Sequence, residues 1–168
     1  LLLPAFPDMV LRTQAYRALL VRLSTSDLLL YLPQLLQMLK FDEDGLSPIV
    51  KHLFEHSRSD ARFAHQFYWQ LRQLLQTETI HIRRYYHIFM ALLYILPETF
   101  RDELQMQYEL CVQLKKIGCE VKKATKTNRT NIFLEQLKEI NEELFRGGTN
   151  ACRLPCQFHF TTNGIDVS

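Results

Sequence analysis

The sequence predicts an all-α fold, a superhelical α-α stack of antiparallel helix pairs that ends in an extended C-terminal linker. Apolar residues recur three, four and seven positions apart along almost the whole chain, the period of helices with one buried face. Only five glycines and six prolines interrupt 168 residues, too few for the turns that many short strands would need. Hydrophobic residues make up 47% and charged residues 23%, the mix of a globular chain rather than a disordered one.

The elements follow in order. A first helix begins after Pro7-Asp8 and lines up Met9, Tyr16, Leu20 and Leu23. Ser26-Asp27 can cap a second, whose stripe is Leu28, Leu32, Leu35, Leu36 and Leu39. Pro33 lies inside that stripe and either kinks or restarts the helix, because proline lacks an N–H and crowds the preceding turn. Asp42-Glu43-Asp44-Gly45 reads as a turn. Ser47-Pro48, a cap followed by a first-turn proline, opens a short helix to about His56. Asp60 caps a longer one with Phe63, Phe67, Leu71 and Leu74 in one row and Ala64, Tyr68 and Leu75 beside it. From Thr79 a helix presents Ile82, Tyr86, Phe89, Leu93 and Leu96 and stops at Pro97. Pro97-Glu98 launches the next, with Leu104, Tyr108, Cys111, Leu114 and Val121, whose phase continues across Gly118 to about Lys126. A polar connector, 125–131, leads to a last helix with Phe133, Leu137, Ile140 and Leu144, ending at Gly147-Gly148. Beyond it, Cys152 to Ser168 has β-branched residues, Pro155 and Asn163-Gly164, and no helical period.

This layout gives about seven helices in pairs of roughly 35 to 45 residues, the spacing of HEAT-like repeats without their sequence self-similarity. One pair cannot bury its stripe alone, so neighbours must stack. The first and last pairs would keep an open face, as in a piece of a longer stack. Leu1-Leu2-Leu3-Pro4, with no initiator Met and no basic lead-in, reads neither as a signal peptide nor as a natural start. Ile88 to Leu96, the longest strongly apolar stretch, is about half of what a membrane span requires.

The net charge of +2 gives no global field for nucleic acid or for a strongly anionic membrane, and no nucleic-acid partner is expected. Charge is nevertheless uneven: Lys115, Lys116, Lys122, Lys123, Lys126 and Arg129 face a single acid, Glu120. The simpler reading is a solvated helix face and the loop after it; the sharper one is a phosphate- or lipid-facing patch. Four loosely spaced cysteines, Cys111, Cys119, Cys152 and Cys156, do not form a disulfide framework and suit a reducing, cytoplasmic compartment.

Chemistry-bearing patterns are sparse. His52-Leu53-Phe54-Glu55-His56 spells H-x-x-E-H, the order of inverted zinc peptidases, with both histidines one turn apart and Glu55 as the base. No third ligand is evident, and two surface histidines are the simpler reading. Cys152, Cys156 and His159 with Cys119 could hold zinc, but the C-x3-C spacing is incomplete and half-buried thiols explain it as well. There is no G-x-S-x-G, and no glycine-rich loop with a lysine to cradle phosphates. Phe67, Tyr68 and Trp69 beside Tyr85 and Tyr86 could stack bases, yet on helix faces they read as core. The residues by themselves predict a scaffold with no catalytic, cofactor-binding or metal-binding residue.

Two strings carry a resemblance. Leu30-Tyr31-Leu32-Pro33-Gln34-Leu35-Leu36-Gln37-Met38-Leu39-Lys40-Phe41 closely resembles the helix of phosphoinositide 3-kinase accessory domains that reads Y-L-x-Q-L-V-Q-x-L-K-(F/Y). Arg62-Phe63-Ala64-His65-Gln66-Phe67-Tyr68-Trp69-Gln70-Leu71-Arg72 is similar to the same family's R-I-(G/A)-H-x-x-(F/Y)-W-x-L-(R/K), at the expected distance downstream. The signature positions are Tyr31, Gln34, Leu35, Gln37, Leu39, Lys40, Phe41, Arg62, Ala64, His65, Trp69 and Leu71. Pro33 and the run Cys152-Arg153-Leu154-Pro155 resemble the class II branch. The likeness covers about 7–155, weakening through 97–150.

The resemblance implies that residues 1–148 are the C-terminal part of a PIK helical domain and 149–168 a linker toward an absent kinase lobe. His65 would be a packed helix–helix histidine and Trp69 a core anchor. The parent enzyme would move the γ-phosphoryl of ATP, with magnesium, to the 3-hydroxyl of phosphatidylinositol or phosphatidylinositol 4-phosphate. ATP and Mg would belong to that parent, and no cofactor to this chain. Partners would be the parent's kinase domain and other modules, possible regulatory proteins, and membrane phosphoinositides only through the parent, which would be cytoplasmic and membrane-associated. A free-standing helical-repeat adaptor is the other reading. A reading frame that continues past Ser168 into phosphate and catalytic loops would favour the kinase.

Overall fold

The computed structural model describes residues 8–20, 22–42, 47–145, 152–154 and 157–162. Among them are seven α-helices, a short 3-10 turn and two strands. They divide into two compact units, Leu1–Leu96 and Pro97–Ser168. Among the described residues no helix is long and apolar enough to cross a membrane.

In the first unit, α1 (Met9–Leu20) starts where Asp8 Oδ1 accepts the N–H groups of Val10 at 2.8 Å and Leu11 at 3.1 Å. Pro7, and the side chains of Met9 and Leu20, lie outside the described residues. Helix α2 (Thr25–Met38) opens with a capping box: Ser24 Oγ accepts from Asp27 N–H at 3.2 Å, and the Asp27 carboxylate accepts from the Ser24 N–H at 3.1 Å and hydroxyl at 2.6 Å. The cap is therefore Ser24, two residues before the expected Ser26, and Asp27 sits three residues inside it. The Ser24 hydroxyl, with its N–H, holds the Asp27 carboxyl below the usual range. The helix runs on through Pro33 without restarting and tightens into a 3-10 turn at Leu39–Phe41. Pro33 leaves Leu29 C=O without its helical donor, but Leu29 is only half-buried, where solvent can serve it. Residues Glu43 to Gly45 of the expected turn lie outside the described residues.

Helix α3 (Pro48–Ser59) has the expected cap, Ser47 Oγ accepting from Val50 N–H at 3.5 Å, and ends one turn later than expected. Asp60 Oδ1 starts α4 (Ala61–Thr77) by accepting from Arg62 N–H at 2.8 Å and Phe63 N–H at 3.2 Å. Helix α4 packs against α3, α2 and α5 (Ile82–Ile95). The core joins Leu28, Leu32, Leu35 and Leu36 of α2 to Phe63, Ala64, Phe67, Tyr68 and Leu71 of α4.

The stripe expected on α5 is rotated. Tyr85, Ile88, Phe89, Leu92 and Leu96 are buried, whereas Ile82 and Tyr86 are 43% and 51% exposed and Leu93 is half-buried. Nothing polar interrupts Ile88 to Leu96, so apolar periodicity cannot choose a face there; polar bonds from Arg84 and Tyr85 choose it, as described below.

In the second unit, α6 (Glu98–Lys123) packs on α7 (Arg129–Glu143). Leu110, Ile117, Leu137, Ile140 and Phe145 form a buried cluster, flanked by Met106, Val121 and Leu144. Helix α6 is again about one residue out of the expected phase: Leu104, Gln107, Leu110 and Ile117 are buried, Tyr108 and Cys111 are half-buried and Leu114 is exposed. The register that sets Leu110 and Ile117 in that cluster carries Gln107 inward, which a count of apolar residues counts against. The helix stops at Lys123, three residues early, and Phe133 is 42% exposed. Gly147-Gly148, Pro155 and Asn163-Gly164 lie outside the described residues.

The C-terminal segment expected as a linker carries two paired strands. β1 (Cys152–Leu154) and β2 (Gln157–Thr162) are antiparallel, with Cys152 opposite Thr162 and Arg153 opposite Thr161, and an irregularity before Leu154. β1 rests on α6. The β-branched residues there fit strands, and pairing satisfies backbone groups that an open linker would leave to water.

Candidate functional site

The first signature string lies on α2 and the turn after it. Leu35 and Leu39 are buried, Tyr31, Gln34, Gln37 and Phe41 are exposed, and Lys40 is half-buried. The last carbonyls of a helix lack a full set of intrahelical donors, and here the α4–α5 corner adds donors to those that Leu39 N–H gives Leu36 C=O and Asp42 N–H gives Leu39 C=O. Arg84 Nη1 donates to Leu39 C=O at 2.6 Å and Lys40 C=O at 3.0 Å. The Tyr85 hydroxyl donates to Leu36 C=O at 2.8 Å, and Lys40 Nζ pairs with Glu78, the residue after α4. Burial, reinforced by Glu78, pushes the Tyr85 hydroxyl up to about 12, so it remains a donor at any physiological pH.

Glu78, Arg84 and Tyr85 escape sequence reasoning, although a signal is present. Arg83 and Arg84 stand in the first turn of α5, where the helix dipole disfavours cations. Of the two, Arg84 offsets that cost by serving the carbonyls of Leu39 and Lys40.

The second string lies on α4, which packs against α2, so the two strings meet. Ala64 and Leu71 are fully buried and His65 is buried. Arg62 lies at the N-terminus of α4, its Nη2 3.6 Å from Asp60 Oδ2. Trp69 is half-buried, edge-on to Tyr68 with ring centres 5.5 Å apart. The core anchor of the string is therefore Tyr68 rather than Trp69, because the inward row Ala64, Tyr68 and Leu71 leaves Trp69 on its flank. Arg72 Nε donates to the Tyr68 hydroxyl at 3.1 Å, and its guanidinium lies over the rings of Tyr68 and Phe89 at 5.5 Å and 4.9 Å. Of the five aromatics considered for base stacking, Phe67, Tyr68 and Tyr85 are buried in the core.

The H-x-x-E-H residues share α3 but not a ligand geometry. The His52 and His56 rings meet edge to face at 4.4 Å, and His52 Nδ1 is 3.8 Å from Glu55 Oε2. His52 also faces the ring of Tyr16 at 6.4 Å, and His56 that of Phe63 at 5.6 Å. His52 Nε2 and the Tyr16 hydroxyl are buried without a hydrogen-bond partner among the described residues. Burial and the neighbouring His56 lower the His52 pKa against an opposing pull from Glu55, while burial, with Asp42 and Glu55, raises that of Tyr16. Among the described residues no group of three His, Cys, Asp or Glu could hold a metal ion. Cys111 is half-buried and Cys119 exposed; Cys156 and the side chains of Cys152 and His159 lie outside the described residues.

Residues 1–105 match the family described as "Phosphoinositide 3-kinase family, accessory domain (PIK domain)". Over 98% of its length the chain is 34% identical to the human "Phosphatidylinositol 4-phosphate 3-kinase C2 domain-containing subunit beta", covering 10% of that protein. It is 32% identical over 99% of its length to the human "Phosphatidylinositol 3-kinase C2 domain-containing subunit gamma", covering 11% of it. It is also 30% identical over 79% of its length to the alpha subunit of the phosphatidylinositol 4-phosphate 3-kinase from Pongo abelii, covering 8% of it. The chain thus spans about a tenth of the length of the curated relatives it matches. With both signature strings packed together in the first unit, the chain belongs to the phosphoinositide 3-kinase family's accessory (PIK) domain and is most like the class II, C2 domain-containing branch.

Proposed function

We propose that this chain is a helical scaffold of a phosphatidylinositol 3-kinase, holding the kinase lobes and regulatory modules of a longer protein in fixed orientation without contributing a catalytic residue. The longer protein would transfer the γ-phosphoryl of ATP, with magnesium, to the 3-hydroxyl of phosphatidylinositol or phosphatidylinositol 4-phosphate. It would work in the cytoplasm and associate with the membrane. The relatives' names support the reaction class. The observation that carries the scaffold reading is the tie between signature helix and α5: Arg84, Tyr85 and Glu78 bond the end of α2 through backbone carbonyls and Lys40. Such bonds stiffen a platform, and a stiff platform acts on catalysis by orientation.

The test uses the longest natural chain that contains this sequence. Combining Arg84→Ala with Tyr85→Phe should lower lipid phosphorylation severalfold while leaving KM for ATP near its original value, and the 168 residues alone should phosphorylate no lipid. Lipid phosphorylation by the 168 residues alone would overturn the proposal. A natural chain without a kinase segment would favour the adaptor reading instead.

A further inference from the structure

Lys115, Lys116, Lys122 and Lys123 stand on α6 as two adjacent pairs seven residues apart. Seven residues are about two helical turns, so one pair lies above the other. With Val112 and Cys119 they fall within an arc of about 120° at the helical 100° per residue. That arc is opposite the side on which Leu110, Ile117 and Val121 join the α6–α7 cluster. All six residues are exposed, as is Lys126 in the connector. None of the five lysines makes an ion pair among the described residues. Of the nearby acids, Glu120 is engaged by Gln136, Glu109 by Gln105 at 2.8 Å and Glu143 by Gln113 at 3.3 Å, while Glu139 and Glu143 line a cavity at whose edge Lys116 stands without an ion pair among the described residues.

Dipole compensation accounts for Lys122 and Lys123 in the last turn of α6, but it fades before Lys115 and Lys116. The terminal carbonyls are in any case served by Arg129, whose Nε donates to Ala124 C=O at 3.1 Å and Nη2 to Lys122 C=O at 3.4 Å. Folding gains nothing from the pattern either, because like charges on one helix face repel.

We propose that this lysine face docks on a bilayer surface of anionic phospholipid. The face is a convex stretch of one helix, about 12 Å from Lys115 to Lys123 at 1.5 Å per residue, with apolar Val112 at one end. Lysine is a point charge, without the planar fork by which arginine grips one carboxylate or phosphate. Unpaired point charges on a convex face match a plane of headgroups better than they match a shaped acidic peptide. Choosing lipid over acidic protein rests on the proposed place in a lipid kinase. The test reads binding without catalysis, so its failure is distinguishable from failure of the proposed function.

The chain is sedimented with vesicles of phosphatidylcholine alone, with about one-fifth phosphatidylserine, or with a few per cent phosphatidylinositol 4-phosphate. Binding to both anionic compositions, little to the neutral one, and loss at high salt are expected. K115E/K116E and K122E/K123E should each lower partitioning about 25-fold or more, from roughly fivefold per lysine. K51E/K138E makes the same change of net charge at exposed positions off the arc, and should change partitioning less than about threefold. Should a reversal reduce helicity by circular dichroism, the paired Lys→Gln variants replace it, with a loss in the same direction. Equal loss in K51E/K138E, equal binding to neutral vesicles, or retention by polyglutamate without retention by anionic vesicles would each overturn the proposal.

Discussion

The hydroxyl of Tyr85, near the start of α5, donates to the carbonyl of Leu36, one turn before the end of the signature string on α2, across 2.8 Å and 49 residues of sequence. Both residues are fully buried, so the bond forms where water cannot replace either partner. It also sets the rotation of α5, turning Tyr85 inward and Tyr86 out.

Tyr85→Phe keeps the ring and removes only that donor. Because the N–H of Leu39 also reaches Leu36 C=O, the acceptor is not left bare, and the expected loss is about 1 kcal/mol. A urea midpoint unchanged by the substitution would mean that the hydroxyl does not fix the two helices. Lys40 and Glu78 beside it should keep their pairing.

Gly118 gives a prediction of the opposite sign. It lies inside α6, and a Cβ placed there would meet nothing within 4 Å. Glycine in a helix interior loses more backbone entropy on folding than alanine, so Gly118→Ala should stabilise the chain by about 0.5 to 1 kcal/mol. Thermal unfolding with a midpoint at or below the original would show that the glycine serves something other than the helix.

These residues mark what the sequence makes legible. Caps and strongly contrasted stripes are local: Ser47, Asp60 and the Leu28, Leu32, Leu35, Leu36 row needed no knowledge of the partner. Helix rotation in α5 and α6 is not local. An almost uninterrupted apolar run, or a helix that buries Gln107, has several faces of similar apolarity, and contacts with distant residues such as Leu36 or Leu137 break the tie. The strands after Cys152 were legible only as a loss of helical period, since pairing there depends on a second segment. The signature positions were found by pattern, but the residues that tie them down, Glu78, Arg84 and Tyr85, lie outside both strings.

His52 makes stability depend on mild acid. Its folded-state pKa is lowered from 6.5 by burial and by His56. As pH falls through 6.5 the unfolded chain therefore takes up a proton at this position before the folded one does. Folding stability is highest where His52 is neutral in both states and declines as pH drops below that value. Tyr16 and Asp42 on one side and Glu55 and His56 on α3 stay in place in His52→Phe, which cannot titrate. Urea midpoints of the original chain should fall between about pH 7.5 and about pH 5 more steeply than those of His52→Phe. Parallel pH profiles would show that His52 carries none of the dependence.

Glu103 and Arg153 decide whether the strand pair is part of the second unit or merely adjacent to it in sequence. Glu103 Oε1 accepts the Arg153 N–H at 3.2 Å while Oε2 accepts from Nη1 at 2.7 Å, so one carboxylate covers an edge amide of β1 and pairs with its side chain. A two-stranded ribbon is marginal by itself in water, and this charge-assisted clamp onto α6 supplies what pairing with β2 alone does not. Glu103→Ala should speed hydrogen exchange at the Arg153 amide roughly tenfold, the loss expected for a hydrogen bond to a charged group. Glu103→Gln, which keeps an acceptor and loses the charge, should fall between the two. Exchange in helix α7, whose contacts with α6 run through Leu110 and Ile117, should stay unchanged in both variants. Equal protection of Arg153 in all three proteins would mean that β1 is held by β2 without help from the helix.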